Sequence, residues 1–196
     1  VTGLIGQYAH GNEPSHHMAY LYNYVGAPHK TQKIVRQILD EQYTPFPDGL
    51  SGNEDCGQMS SWYVLSAMGF YSVTPGLDYY TIGTPIFEKV TLNLENGNTF
   101  IINAKNVSDK NIYIQSARLN GKIFESSFIK HSNIMSGGIL TFKMGKEPSN
   151  WGSESIPVSK IEKNKIIPVP YFVAQSQTFT DKLSVELGSA VGGDIY

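Results

Sequence analysis

The stretch GQMSSWYVLSAMGFYSVTPG, Gly57 to Gly76, decides the fold, because the spacing of its apolar residues changes within it. As far as Phe70 the pattern is helical. Met59, Trp62, Tyr63, Leu65 and Met68 leave it apolar on most sides, which predicts a buried helix. Beyond VTPG (Val73 to Gly76) the period becomes two. KVTLNLENGNTFII alternates Val90, Leu92 and Leu94 and turns at Asn96-Gly97. NIYIQSARLNGKIF turns again at Asn120-Gly121, and SGGILTFKMG sets Leu140, Phe142 and Met144 on one face. Residues 85 to 150 are therefore expected to form a small antiparallel β-unit.

Upstream the chain reads as helical from about residue 10. Met18, Leu21, Tyr22 and Val25 recur at i, i+3, i+4 and i+7, and Gly26 stands where a C-cap glycine belongs. Pro28 opens a second helix with Ile34, Val35, Ile38 and Leu39 on one face. A turn-rich connection, TPFPDGLSGNED, leads to the third helix. Downstream of Trp151-Gly152, SESIPVSKIEKNKIIPVP is proline-punctuated and lysine-dotted, as linkers are. TFTDKLSVELGSAVGGDIY then alternates like the opening strands of a further β-domain. The expected class is α+β, helices first and strands after.

With 196 residues the chain can bury a real core. Its net charge of -2 and the lack of any Lys/Arg run argue against a nucleic-acid or anionic-lipid partner. No apolar stretch is long enough to span a bilayer. A single cysteine, Cys56, excludes an internal disulfide. The start at Val1 and the ending in GGDIY suggest a piece of a longer protein. Twelve tyrosines and nine phenylalanines suit flat, weakly charged ligands such as sugars, although cores use them too.

Two polar clusters precede the first and third helices. In GNEDCGQ (Gly52 to Gln58), Asn53, Glu54 and Asp55 lie between glycines that allow tight backbone conformations. A carboxylate there suits a general base or a hard-cation ligand, and equally Asp55 suits a cap on the third helix. In HGNEPSHH (His10 to His17), Asn12 and Glu13 offer the oxygen ligands that Ca²⁺ takes. His16 and His17, being neighbours, diverge by about 100° on a helix and cannot grip one zinc ion together. Ser15 as N-cap, with packed or solvated histidines, is the plain alternative. Cys56 has no local nucleophile signature, and Asn106-Val107-Ser108 matches a glycosylation acceptor of a kind frequent by chance.

Taken together, HGNEPSHHMAYLYNYVGAPHKTQ and PFPDGLSGNEDCGQMSSWYVLSAMGFYSVTPG closely resemble the carboxy-terminal part of glycoside hydrolase family 92. The likeness continues through YTIGTPIFEKVTL, YIQSARLNGK and GGILTFKMG to PSNWG at Trp151-Gly152, about three quarters of the chain. The family comprises bacterial, Ca²⁺-dependent exo-α-mannosidases, mostly α-1,2-specific, so the resemblance implies Ca²⁺, mannose-containing glycans and a periplasmic or cell-surface location. It implies that residues 1–84 are the last helices of an (α/α)6 barrel and 85–152 its β-rich tail. Residues 153–170 would be a linker, and 171–196 the start of an appended β-sandwich.

Such enzymes invert the anomeric centre with an acid and a base about 6.5–9.5 Å apart. Carried over motif by motif, the resemblance makes Asp55 the base, with Glu54 and Asn53 as further catalytic candidates. His10, Glu13 and Asn53 become sugar-contact candidates, and Asn12, Glu13 and Asp55 the metal-ligand candidates. Asn53 stands where some members carry a second Asp. The resemblance places the general acid upstream of Val1, so this chain alone is expected to be inactive. The alternatives are a non-catalytic carbohydrate-binding module and a structural interaction domain.

Overall fold

The computed structural model describes residues 3–158, 169–174, 176 and 178–190. It divides into two compact units, Val1–Val158 and Ser159–Tyr196. The first opens with a hairpin, β1 (Leu4–Ile5) against β2 (Tyr8–Ala9). A 3-10 turn at Glu13–Ser15 and a 3-10 helix at Met18–Val25 follow. Gly26 ends that helix in the left-handed conformation, φ 71°, and Pro28 starts α1 (Pro28–Glu41) with its φ already set for a helix.

Val35, Ile38 and Leu39 of α1 are buried, as their spacing predicts. The 3-10 helix behaves differently. An apolar stripe like Met18, Leu21, Tyr22 and Val25 ordinarily faces a core, yet here it faces outward, with Val25 74% exposed. At three residues per turn, positions i and i+3 form straight rows, and the inner row is Tyr20 with Asn23. The third helix, α2 (Gln58–Met68), buries Met59, Trp62, Ser66 and Ala67 but leaves Val64 54% exposed. It has one open side where the sequence predicts burial on most sides.

Beyond α2 come β3 (Phe70–Tyr71), β4 (Tyr79–Ile82), β5 (Lys89–Asn93), β6 (Thr99–Lys105), β7 (Tyr113–Leu119) and β8 (Lys122–Ile123). These are followed by β9 (Phe128–Lys130), a short α3 (His131–Met135) and β10 (Gly138–Gly145). A three-stranded sheet in the order β3-β4-β9 ties the helical segment to the downstream half. The Asn23 side chain does the same, its Nδ2 donating to the carbonyls of Ile82 (2.8 Å) and Ser127 (3.0 Å).

The larger sheet runs β5-β6-β10-β7-β8 and is mixed, which corrects the antiparallel expectation. Strand β10 pairs parallel with β6 and antiparallel with β7. The chain leaves the sheet after β8, passes through β9 and α3, and re-enters between β6 and β7. That crossover is what a parallel neighbour requires. The two Asn-Gly hairpins also differ. Asn120 and Gly121 are both left-handed (φ 50° and 79°), the two-residue turn that matches strand twist. At the other, Gly97 alone is left-handed, and its N–H bonds back to the Leu94 carbonyl in a longer loop.

Apolar side chains gather in two clusters. Phe100, Ile102, Ala104, Ile114, Leu140, Phe142, Met144 and Trp151 fill the sheet side. Ala19, Tyr20, Val35, Ile38, Leu39, Trp62 and Ala67 fill the helical side. In the second unit, β11 (Tyr171–Ala174) pairs antiparallel with β12 (Val185–Gly188). Most of the linker expected over 153–170, at 159–168, and the expected strand at 191–196 lie outside the described residues.

Candidate active site

The two polar clusters meet. Gly52 sits at φ 88°, and a Cβ on it would lie 2.8 Å from the Gly11 carbonyl oxygen, so glycine is required on both counts. This contact sets the loop before α2 against the loop that carries Glu13. Asp55 (φ 49°) and Cys56 (φ 57°) are both left-handed and run into Gly57 at φ 92°. Left-handed backbone costs roughly 1–2 kcal/mol for a residue with a Cβ. Held strain of this kind clusters at functional sites. Here it turns the chain so that the Asp55 carboxyl comes beside the Glu13 carboxyl.

A hydrogen bond between them, formed when one carboxyl is protonated, splits the pair. It pulls Glu13 below the usual carboxylate range and, with the charge of Glu13 alongside, pushes Asp55 above it. Asp55 is exposed and Glu13 half-buried, and both line an open cleft of about 540 Å³ with His16, His17, Gln58 and Tyr71. A second hollow of about 470 Å³, walled by Tyr43, Phe46, Leu50, Tyr63 and Val64, contains no carboxylate or histidine.

The other expected site residues are placed as follows. Glu54 does not line the cleft. Its Oε1 accepts from the Ser60 N–H (3.1 Å) and its Oε2 from the Ser60 hydroxyl (3.0 Å), so Glu54 caps α2, the role the sequence also allowed Asp55. Asn12 and Asn53 are exposed on the loops. Ser15 makes no side-chain cap and is buried.

His10, expected at the sugar, is wholly buried behind the cleft wall (0% exposed) and cannot reach a ligand. Tyr43 Oη donates to the Met59 carbonyl (3.1 Å), so His10 Nε2 donates to Tyr43 (2.6 Å) and His10 Nδ1 accepts from Tyr8 Oη (2.7 Å). Burial pushes the His10 imidazole down to about 3, with the neighbouring His16 adding to it. The two rings stack at 4.8 Å. His16 Nε2 donates to the His10 carbonyl (2.9 Å), and its Nδ1 accepts from the Gln58 amide (2.9 Å). That amide also donates to Tyr71 Oη at 3.0 Å. Burial lowers the His16 pKa, with the His10 carbonyl opposing. Trp62 Nε1 closes the group on the His16 carbonyl (3.1 Å).

Gln58 and Tyr71 are the cleft residues that spacing did not single out. Gln58 lay within the quoted cluster, but nothing local signals Tyr71, which arrives on β3. Among the described residues no three His, Cys, Asp or Glu side chains gather around one point. Glu13 and Asp55 are two hard oxygen ligands side by side, and a cation there would draw its remaining ligands from amides, carbonyls, water or a sugar.

A family model described as the glycosyl hydrolase family 92 catalytic domain matches residues 1–146. A family GH92 α-mannosidase from Bacteroides thetaiotaomicron is 44% identical with a TM-score of 0.78, covering 81% of this chain and 22% of that one. A family GH92 inverting mannosidase from the same organism is 43% identical with a TM-score of 0.73, covering 79% and 21%. An uncharacterized secreted glycosidase from Arthroderma benhamiae is 36% identical over 146 residues, 73% of this chain and 19% of that protein. The chain thus spans about a fifth of the length of these relatives.

Proposed function

Because the chain belongs to glycosyl hydrolase family 92, we propose that it forms part of an α-mannosidase that removes terminal mannose from glycans with inversion, preferring α-1,2 linkages. The meeting of Glu13 and Asp55 in an open cleft, at the end of a strained left-handed turn, carries this reading. Asp55 is the general base. It takes a proton from water, whose oxygen attacks the anomeric carbon as the leaving oxygen is protonated from the opposite face. The acid that protonates it belongs to a part of the enzyme outside this chain, so the chain alone turns over no substrate.

Glu13, Asn12 and Asp55 are the residues that would hold Ca²⁺, since two neighbouring carboxylates suit a divalent cation. When bound, the ion supplies a grip on vicinal sugar hydroxyls that helps flatten the ring. Asn53 and Glu13 are the residues that would contact the sugar. The helices between residues 13 and 68 are the last of an (α/α)6 barrel, and the hairpin of β11 and β12 begins a β-sandwich module. A secreted, periplasmic or cell-surface enzyme fits the secreted relative, and no helix among the described residues is long and apolar enough to cross a membrane.

The test uses the intact enzyme. Asp55→Asn is expected to lower kcat on a terminal α-mannoside by about 10²–10⁴. Glu54→Gln is expected to lower stability and leave kcat near wild type. An Asp55→Asn enzyme with full activity overturns the base assignment. Chelation followed by Ca²⁺ add-back checks the cation, and undiminished turnover in excess chelator removes it.

A further inference from the structure

The outer face of the five-stranded sheet carries a feature that the cleft does not use. Side chains alternate across a sheet, and while Ile102, Ala104, Leu140 and Phe142 point into the core, their neighbours point out. On that face Lys105 of β6 and Lys143 of β10 are register partners, and Lys143 is opposite Ser116 of β7. Thr141 lies opposite Arg118. These side chains surround a hollow of about 280 Å³ with no carboxylate in its lining. None of the ion pairs among the described residues involves Lys105, Lys143 or Arg118. Arg118 instead donates from Nη1 to the Gly121 carbonyl at 2.8 Å.

Like charges opposite one another on adjacent strands destabilise a sheet. In a chain of net charge -2, three unneutralised cations around one concavity are a local reversal of sign. We propose that this hollow binds a tetrahedral oxyanion, a phosphate or sulfate group, either free or as an ester on a sugar. Three cations from three neighbouring strands, with the Ser116 and Thr141 hydroxyls beside them, surround such a group from several directions. A planar carboxylate would occupy only one donor fork. The site is independent of Asp55 and of any mannosidase chemistry.

The experiment is an amide-shift NMR titration of the chain at low ionic strength with inorganic phosphate, inorganic sulfate and a monosaccharide 6-sulfate. Acetate and the neutral monosaccharide serve as controls. Phosphate and sulfate are expected to shift the amides of Lys105, Ser116, Arg118 and Lys143. Lys105→Gln and Lys143→Gln are each expected to weaken binding about fivefold or more, while the unfolding temperature without anion holds or rises as the like-charge pair is relieved. An ester that binds more tightly than the free ion identifies a sugar-borne group, and equal binding identifies the free ion. Unchanged affinity in both variants, or acetate binding as tightly as sulfate, overturns the proposal. So does a fall in the unfolding temperature of Lys143→Gln, which would make that lysine a structural element.

Discussion

The two hydrophobic clusters of the first unit are held together by different means. On the sheet side, Ile102, Ile114, Leu140 and Phe142 interlock as apolar surfaces, with Trp151 edge-on to Phe142. On the helical side, Trp62 is surrounded by His10, His16, Tyr20, Tyr43 and Tyr71, most of them bonded through their polar atoms. The first kind of core tolerates sliding and reshaping. The second fixes orientation, because each ring has a donor or acceptor that accepts only one arrangement. The cleft lies against the second, and the wall that positions Glu13 and Asp55 is therefore the oriented one.

The largest perturbation of that contrast is Trp62→Ala, which empties the centre of the ring cluster and removes the donor to the His16 carbonyl. A loss of about 3–5 kcal/mol is expected in urea unfolding. A loss below about 1 kcal/mol would mean the rings are not the keystone.

Acid comes next. The His10 pKa is depressed in the fold from 6.5 to about 3, so its contribution is complete above pH 6.5. It declines as the pH falls from 6.5 towards 3, where only the unfolded chain takes up the proton. The expected slope is up to about 1.4 kcal/mol per pH unit, and His10→Gln should flatten it. An unchanged acid limb in that variant would dismiss His10 as its source.

Tyr43→Phe sharpens the contrast further. It strips His10 Nε2 of its acceptor and the Met59 carbonyl of a donor, for a loss of about 1–3 kcal/mol by thermal unfolding. The smallest effect belongs to the sheet side, where Ile102→Val should cost only about 0.5–1.5 kcal/mol. Were Ile102→Val to cost more than Tyr43→Phe, the assignment of the two packing modes would have to be exchanged.

Sequence reading located what local periodicity encodes. Val35, Ile38 and Leu39 of α1 and the alternation of Leu140, Phe142 and Met144 in β10 were legible because each element buries one face. The parallel seam between β6 and β10 was not, because alternation is blind to strand direction. Nor was the orientation of the Met18–Val25 segment, whose 3-10 winding places Tyr20 and Asn23 inside. At the cleft, the two loops could be named from their oxygen-rich composition, but the division of labour within GNED could not. Which of Glu54 and Asp55 caps α2 depends on the left-handed backbone at Asp55 and Cys56, a feature that carries no residue signature when neither position is glycine. His10 was named from the motif likeness alone, and a motif says nothing of the tyrosines that bury this histidine.

The Asn23 amide, held by carbonyls up to 104 positions away, has a consequence for how the molecule is made. On a ribosome adding about 5–20 residues per second, Asn23 is added roughly 5–20 s before Ser127. Until then the nascent helical segment lacks one of its anchors. Ser127, the residue just before β9, is thus a timing element, and synonymous changes that slow decoding between the two positions would lengthen the interval before the helical segment gains this anchor.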